Sequence, residues 1–248
     1  MHTADSLTRL SETEDPFAYA LSSNSAWAGY KGHQNPDFFS RLASGQAPDI
    51  LWLGCSDSRC PETTILGLQP GDVFVHRNIA NIVSPTDINT AAVIEYAVAQ
   101  LRVKHVVLCG HTGCGGAMGV IDDAPVGRIL DTWLTPLRAL RDAHCEELDS
   151  ISGEDKQRAV NRLAELNIEA GVRVLMANAA VREAVRDRGL QVHGTLFDIA
   201  TGRVRDLGLG TANKAKGRGA VPEVGGVVRG RHAQLVFRGD GGAEMEAF

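Results

Sequence analysis

The chain has 248 residues and a formal net charge of -5 at pH 7. This mildly negative balance argues against a nucleic-acid partner and against an anionic membrane surface. Hydrophobic residues make up 44% of the chain and charged residues 22%, which is typical of soluble globular proteins. No apolar run approaches the ~20 residues of a membrane span. Residues 1–15 contain acidic residues and no apolar signal core, so we expect a cytoplasmic protein with no membrane partner.

The five cysteines are an odd number and lack the spacing of a disulfide scaffold. In a chain with no secretion signal, this usage favours metal binding or plain burial over disulfide bonds.

The first half of the chain alternates between helical patterns and short apolar runs. Residues 16–44 predict two helices, broken between Gly32 and Pro36. Apolar runs predict strands over 49–53, 72–76 and 105–109, and the third has the continuous apolar character of a central parallel strand. Pro61 suits the first turn of a short helix, and residues around Asp87 provide N-cap chemistry for a helix over 90–101.

The second half predicts longer helices and then a hairpin. Residues 126–144 are helical in pattern with Pro136 inside, so we expect a bend or two helices. Ser152 and Asp155 predict a capping box for a helical region that reaches residue 188, with Gly171 as a weak point or break. Residues 191–207 predict a strand or hairpin at the sheet edge, 208–230 a glycine-rich loop, and 232–238 a returning strand.

These elements predict an α/β protein with a mostly parallel central sheet flanked by helices. We expect one domain, with an N-terminal helical arm over 1–44, a core over 45–207 that would carry any active site, and a C-terminal loop and edge-strand extension over 208–248.

Chemistry-bearing residues follow two of the predicted strands. Cys55, Asp57 and Arg59 come directly after the first strand, whereas His111 and Cys114 follow the third. In an open α/β sheet, the loops at the carboxyl ends of the strands are the usual location of a site. Two cysteines and one histidine are a known ligand set for catalytic zinc with one position left open. We therefore expect one Zn²⁺ ion, bound by Cys55, His111 and Cys114.

Two simpler interpretations of this ligand set stay open. A purely structural zinc site normally has four protein ligands, and Asp57 is the candidate fourth ligand of such a closed state. A cluster of buried cysteines without zinc is the other interpretation.

The motifs C-S-D-S-R at 55–59 and H-T-G-C-G-G at 111–116 resemble those of the β-class carbonic anhydrases. The segments 69–81 and 92–98 resemble that family as well, and the likeness extends from about Trp27 to about Leu207. The resemblance implies reversible hydration of carbon dioxide to bicarbonate and a proton, by attack of zinc-bound hydroxide on CO2.

The resemblance also implies roles for individual residues. Asp57 and Arg59 form a catalytic ion pair, in which Arg59 keeps Asp57 ionised and off the metal. The substrate pocket is lined partly from a neighbouring subunit, so a homodimer with interfacial active sites is implied, with a homotetramer left open. The implied substrate-binding residues are Gln46, Phe74, Ile79, Tyr96 and the backbone N–H of Gly115.

Some members of that family bind a second, regulatory bicarbonate, and the matching positions here are Trp52, Arg77 and Phe197. Phe197 replaces a tyrosine, which removes a hydroxyl that would bind the anion. Cys60 replaces a common valine nearby. We therefore expect weak or absent bicarbonate regulation.

Three other functions stay open at this stage. A related hydrolase of carbon disulfide or carbonyl sulfide would use the same ligands, and a zinc-bound but inactive sensing protein would keep them too. A dinucleotide-binding protein is disfavoured, because Met118 stands where the glycine fingerprint needs its third glycine. We interpret five other histidines as packing or solvent residues: His76, His105, His144, His193 and His232.

Overall fold

The computed structural model describes residues 15–211 together with 227–229, 233–237 and 243–247. The chain divides after Gln46 into two compact units, which are described here one at a time.

The first unit contains the two helices that the sequence predicts, α1 (Pro16–Gln34) and α2 (Phe38–Ala43). Helix α1 begins where the carboxylate of Asp15 accepts hydrogen bonds from the backbone N–H groups of Phe17 and Ala18. The ring of Trp27 meets the rings of Phe38 and Phe39 edge-on, with centroid distances of 6.4 and 5.8 Å. These aromatic contacts join α2 to α1.

The second unit is built on a five-stranded sheet with the order β2-β1-β3-β4-β5. The first four strands are parallel, and β5 is antiparallel to β4. This confirms the mostly parallel sheet and the hairpin at its edge. The strands are β1 (Ile50–Cys55), β2 (Val73–Asn78), β3 (His105–His111), β4 (Gln191–Asp198) and β5 (Arg203–Asp206).

Eight α-helices, all within 62–188, accompany the sheet in this unit. They are α3 (Glu62–Ile65), α4 (Ile88–Glu95), α5 (Gly115–Ile121), α6 (Arg128–Trp133), α7 (Thr135–Ala143), α8 (Cys145–Glu154), α9 (Lys156–Ala177) and α10 (Ala179–Arg188). A single 3-10 turn follows β2 at Ile79–Asn81, and a π-helical turn at Tyr96–Gln100 extends α4. The predicted helix over 90–101 thus begins two residues earlier, directly after its cap Asp87.

Alternate strand residues build two apolar layers, because successive side chains point to opposite faces of a sheet. Leu108 and its neighbours on one face pack against α9, in the main core. The opposite face carries Trp52, Cys109 and Phe197, which form a smaller buried cluster with Cys60. The carboxyl ends of β1 and β3 are therefore held between two packed layers.

Gly171 does not break the long helix, contrary to the expectation from sequence. It lies inside the uninterrupted helix α9, and a Cβ atom there would come within 2.5 Å of Leu108 Cδ2. The glycine permits close packing of α9 on the sheet, and this contact offsets its low helix propensity.

Two smaller expectations need correction, and a third is confirmed. Asp155 is itself the N-cap of α9 and accepts a hydrogen bond from Arg158 N–H, whereas Ser152 lies within α8, so they form no capping box. Pro61 is the N-cap of α3 and precedes its first turn. Pro136 lies in the first turn of α7, which confirms two helices over 126–144, because the missing N–H of proline costs little there.

The C-terminal region contains three further strands, β6 (Val227–Arg229), β7 (Ala233–Phe237) and β8 (Ala243–Ala247). The returning strand predicted over 232–238 is present as β7. It pairs antiparallel with β6 and β8 in a separate sheet, and it does not extend the edge of the main sheet. Most of the loop predicted over 208–230 lies outside the described residues.

None of the helices in the described part of the chain is both long enough and apolar enough to cross a membrane.

Candidate active site

Cys55 is the last residue of β1, paired with Asn78 of β2, so the strand extends two residues beyond its predicted end. His111 is likewise the last residue of β3 and pairs with Phe197. The two residues are therefore positioned by the sheet, at its carboxyl edge, and not by the loops that follow.

Cys114 reaches the same point through a tight turn. Gly113 has a φ angle of +66°, which glycine adopts without strain, and Cys114 is the N-cap of α5. The sulfur atoms of Cys55 and Cys114 and a ring nitrogen of His111 all lie within 4.8 Å of one another, and all three residues are buried. The structure thus brings together the three predicted metal ligands.

The donor atoms fit a zinc ion. The Nδ1 atom of His111 lies 3.0 Å from the carbonyl oxygen of Thr112, so that N–H donates to the backbone and leaves the Nε2 lone pair free. Nε2 is buried and has no hydrogen-bond partner among the described residues. A buried polar atom without a partner is costly, and a metal ion bound by two sulfur atoms and this nitrogen removes the cost.

Without a metal, the three groups of the cluster hold protons unequally. A hydrogen bond from Cys114 is the largest cause that lowers the pKa of Cys55 to about 4, and the same hydrogen bond raises the pKa of Cys114. Burial lowers the pKa of His111, yet the neighbouring sulfur atoms of Cys55 and Cys60 raise it to about 10. The protons that occupy the cluster are the ones that a bound cation displaces.

Asp57 and Arg59 form the ion pair that the sequence predicts. Arg59 Nε donates to Asp57 Oδ1 at 2.9 Å, and Nη2 donates to Oδ2 at 2.7 Å. The backbone N–H of Arg59 also donates to Oδ1, at 2.9 Å. Hydrogen bonding from Arg59 holds the pKa of Asp57 well below its usual range, so the carboxylate stays ionised. Its Oδ2 lies 3.8 Å from His111 Nε2, at the edge of the metal cluster.

Comparison with known proteins gives a consistent result. The family model described as "Carbonic anhydrase" matches residues 50–204. A carbonic anhydrase of Emericella nidulans is 42% identical over 201 residues, which cover 81% of this chain and 86% of that protein. The chain belongs to the carbonic anhydrase family.

Solved structures place it in the β class. A tetrameric β-carbonic anhydrase of Sordaria macrospora is 68% identical, with a TM-score of 0.78, over 80% of this chain and all of that chain. A β-carbonic anhydrase of Aspergillus fumigatus is 53% identical, with a TM-score of 0.75, over 78% of this chain and 91% of that one.

The sequence did not identify the two residues Arg77 and Asn161 as ones that position the site. Arg77 of β2 donates from Nε to the carbonyl oxygen of Cys55 at 2.7 Å and from Nη2 to that of Asp57 at 2.5 Å. Asn161 of α9 accepts a hydrogen bond from Gly113 N–H at 2.9 Å. Arg77 therefore orders the loop after β1, and Asn161 orders the turn after β3. The role of Arg77 is suggested by strand pairing, since Arg77 lies opposite Gly54, next to Cys55. No sequence signal indicates the role of Asn161.

Ile79, one of the predicted pocket residues, lies close to the turn that carries Cys114. A Cβ atom on Gly116, two residues after Cys114, would lie 3.6 Å from Ile79 Cγ2. The carbonyl of Ile79 accepts a hydrogen bond from Trp133 Nε1 at 2.8 Å, which anchors this segment. The side chain of Ile79 is nevertheless 43% exposed, so it is available to line an opening.

Phe74 and Tyr96 lie together but apart from the metal ligands. Their ring centroids are 5.6 Å apart. Phe74 pairs with Leu51, four residues before Cys55, which corresponds to roughly 13 Å along a strand. Within a single copy of the chain, the rings of Phe74 and Tyr96 are therefore too distant to enclose a molecule bound at Cys55.

The other two predicted pocket residues are exposed. Gly115 is the first residue of α5, with open space where a side chain would lie. Gln46 is the last residue of the first unit.

The residues expected at a regulatory bicarbonate site lie in different surroundings, two of them apolar and one polar. Trp52 and Phe197 are both buried in the apolar cluster that contains Cys60. The Arg77 guanidinium binds the loop of Cys55 and Asp57 and lies 3.7 Å from a carboxylate oxygen of Glu62. An anion would have to compete with these contacts for Arg77.

Proposed function

We propose that this chain catalyses the reversible hydration of carbon dioxide to bicarbonate and a proton. The observation that carries the proposal is the position of the Asp57 carboxylate. Arg59 binds this carboxylate, and its Oδ2 atom lies 3.8 Å from His111 Nε2, the free ring nitrogen of the buried Cys2His cluster. Membership in the carbonic anhydrase family supports it.

Cys55, His111 and Cys114 would hold one zinc ion. When bound, zinc supplies a Lewis acid that lowers the pKa of a coordinated water towards neutrality. The set offers three protein ligands, so a fourth position stays available for chemistry as long as Asp57 is kept elsewhere.

Arg59 keeps Asp57 in place as a hydrogen-bond acceptor. Both carboxylate oxygens accept N–H groups of Arg59, and this fork restricts the carboxylate to one orientation. The ionised carboxylate of Asp57 can accept the O–H of the attacking oxygen, and it thereby aims the oxygen lone pair at the carbon atom of CO2. Arg59 also donates to the carbonyl oxygen of Gly113 at 3.2 Å, which ties Asp57 to the turn that carries Cys114.

The apolar pocket for CO2 is best explained by two copies of the chain. Phe74 and Tyr96 are too far from Cys55 in their own chain, whereas exposed residues on a second copy can approach it. Among the described strands, β2 pairs with β1 alone and so forms one edge of the sheet, with Val75 exposed on it, and such an edge invites association. We therefore propose a homodimer with interfacial active sites, which assembles further into a tetramer.

The decisive experiment is stopped-flow CO2 hydration by zinc-quantified protein, compared between Asp57→Asn and Asp187→Asn. Asp187 forms a similar two-pronged ion pair with Arg186, at 2.6 and 3.1 Å, but on the surface of α10. We expect Asp57→Asn to lower kcat by about 10²-fold or more and Asp187→Asn to leave it unchanged.

Full zinc occupancy without CO2 hydration at any pH would reject the proposal. Turnover of carbon disulfide or carbonyl sulfide would then identify the related hydrolase, and absence of turnover would identify an inactive zinc-binding protein.

A further inference from the structure

Two histidines, His105 and His193, lie side by side at the end of the sheet opposite the Cys55 and His111 cluster. His105 is the first residue of β3, six residues before His111, and His193 lies on the adjacent strand β4. In the parallel register, His105 pairs with Gln191 and His193 pairs with Val107, so the two imidazoles are diagonal neighbours on one face of the sheet. Neither histidine has a role in the catalytic site.

The two rings point nitrogen atoms at each other. Nδ1 of His105 and Nε2 of His193 are 3.1 Å apart, a hydrogen bond in which either ring can be the donor, and the ring centroids are 5.3 Å apart. An ion bound to both nitrogens would take the place of the proton that they share. Metal–imidazole bonds are 2.0–2.1 Å long, so an ion bound to both nitrogens would subtend an angle of roughly 100°. This angle lies between the ligand–metal–ligand angles of octahedral and tetrahedral sites. The distance between the two nitrogen atoms therefore needs little adjustment for both to bind one ion.

A carboxylate completes the arrangement on the far side of His193. Asp206 Oδ2 lies 3.7 Å from His193 Nδ1, and its Oδ1 accepts the backbone N–H of Gly208 at 2.8 Å. Ligating histidines commonly direct the second ring N–H at a carboxylate, and Asp206 lies on the side of His193 where such a carboxylate would stand. The side chain of His193 is 22% exposed, so water can supply further ligands.

The charges around the pair also suit metal binding near neutral pH. Burial, followed by the neighbouring His193, lowers the pKa of His105, which keeps its imidazole neutral. Asp49 opposes this shift and Lys104 reinforces it, and these two residues are themselves ion-paired at 3.0 Å. Their opposite charges largely cancel at the site.

We propose that His105 and His193 form a second metal site, which binds a divalent transition ion of the Ni²⁺, Cu²⁺ or Zn²⁺ class. Imidazole ligands select these ions over Mg²⁺ and Ca²⁺, which prefer oxygen. The bound ion joins β3 to β4 at the end opposite His111 and stabilises the sheet. The site is independent of CO2 hydration.

The test is calorimetric titration of untagged, zinc-loaded protein with Ni²⁺. We expect one equivalent to bind per chain, and we expect that binding to be lost in His105→Gln and in His193→Gln. Asp206→Asn should weaken binding by about 10-fold or more, since it removes the carboxylate behind the ligand. The matched control is His144→Gln, which removes a histidine whose Nδ1 lies 3.5 Å from a Glu147 carboxylate oxygen but which pairs with no second imidazole in the described part of the chain. The His144→Gln protein should still bind one equivalent of Ni²⁺ per chain.

Thermal unfolding provides a second readout. Ni²⁺ should raise the Tm of the wild-type and His144→Gln proteins, because a ligand that binds only the folded state stabilises it. It should leave the Tm of the two site variants unchanged, while their CO2 hydration stays at the wild-type level. Absence of a Ni²⁺ equivalent in the wild type, or its retention in His105→Gln, overturns the proposal.

Crystals of the wild-type protein soaked in Ni²⁺ test the site even if a variant fails to fold. An anomalous peak between His105 Nδ1 and His193 Nε2 is expected at the nickel absorption edge. A nickel peak only at other positions rejects the site.

Discussion

Arg59 donates hydrogen bonds to both carboxylate oxygens of Asp57, at 2.9 and 2.7 Å, in the fork geometry of a guanidinium–carboxylate pair. The arginine side chain is half exposed, with 53% of its surface open, whereas that of Asp57 is 17% exposed. The importance of the pair therefore lies in where it holds the carboxylate, since exposed ion pairs contribute little to stability.

Replacement of Arg59 should lower activity and raise the pKa of Asp57. In Arg59→Ala, the carboxylate loses the partner that depresses its pKa, so its titration midpoint should move up towards ~3.9. A carbon-13 NMR titration of the Asp57 carboxyl group measures that shift, and stopped-flow assays measure the fall in kcat. Because the folded pKa lies below the unfolded one, any stability from the pair is present above ~3.9 and disappears as the pH falls through the folded value.

The Arg59→Lys variant separates charge from geometry. A lysine keeps the positive charge but cannot form two parallel hydrogen bonds, so we expect a partly depressed Asp57 pKa with kcat still reduced. Wild-type kcat in Arg59→Lys would contradict the positioning role.

Removal of a sulfur ligand should remove the zinc. In Cys114→Ser, one of three protein ligands is replaced by a poor zinc ligand, and we expect zinc content after dialysis against a weak chelator to fall at least 10-fold. Cys145→Ser is the control, because Cys145 is a partly exposed free cysteine on α8, outside the cluster. Equal zinc content in the two variants would show that Cys114 does not bind the metal.

The ligand set could be predicted from sequence because its signals are local. Cys55 and His111 each end an apolar strand, and parallel strands place such ends at one edge of the sheet. Asn161 could not be predicted, since its role depends on where α9 crosses the turn at Gly113. The pairing of His105 with His193 likewise depends on the register of two strands far apart in sequence.

Gly171 shows why the helices were harder to predict. A glycine in a helical pattern signals a break when propensity alone is considered. In the folded chain, α9 packs closely against Leu108 at Gly171. The stabilisation from this contact outweighs the low helix propensity of glycine.

We therefore expect Gly171→Ala to destabilise the protein by about 1–3 kcal/mol, because the new methyl group overlaps the fully buried Leu108. Gly153→Ala provides the matched comparison, since a Cβ atom at this exposed position in α8 meets nothing within 4 Å. It should stabilise the protein by about 0.5–1 kcal/mol through helix propensity. Urea unfolding measures both changes, and destabilisation by the two variants alike would show that packing at Leu108 is not the cause.

Bicarbonate should inhibit this enzyme as a simple product and not as a cooperative effector. Phe197 offers no hydroxyl to an anion, and it is buried beside Trp52 in an apolar cluster. Arg77, the only cation among the three expected regulatory residues, already donates to the carbonyl oxygens of Cys55 and Asp57. A second bicarbonate would have to break these hydrogen bonds and enter an apolar surrounding, which is costly for an ion.

Initial rates of CO2 hydration at increasing bicarbonate concentration test this expectation. We predict hyperbolic inhibition with a Hill coefficient of about 1. Phe197→Tyr is the informative variant, because it restores the hydroxyl and leaves Arg77 and Trp52 in place. Sigmoidal inhibition of the wild-type enzyme, together with a crystal structure in which bicarbonate drives Asp57 onto the zinc, would refute the prediction and show that Arg77 exchanges its backbone partners for the anion.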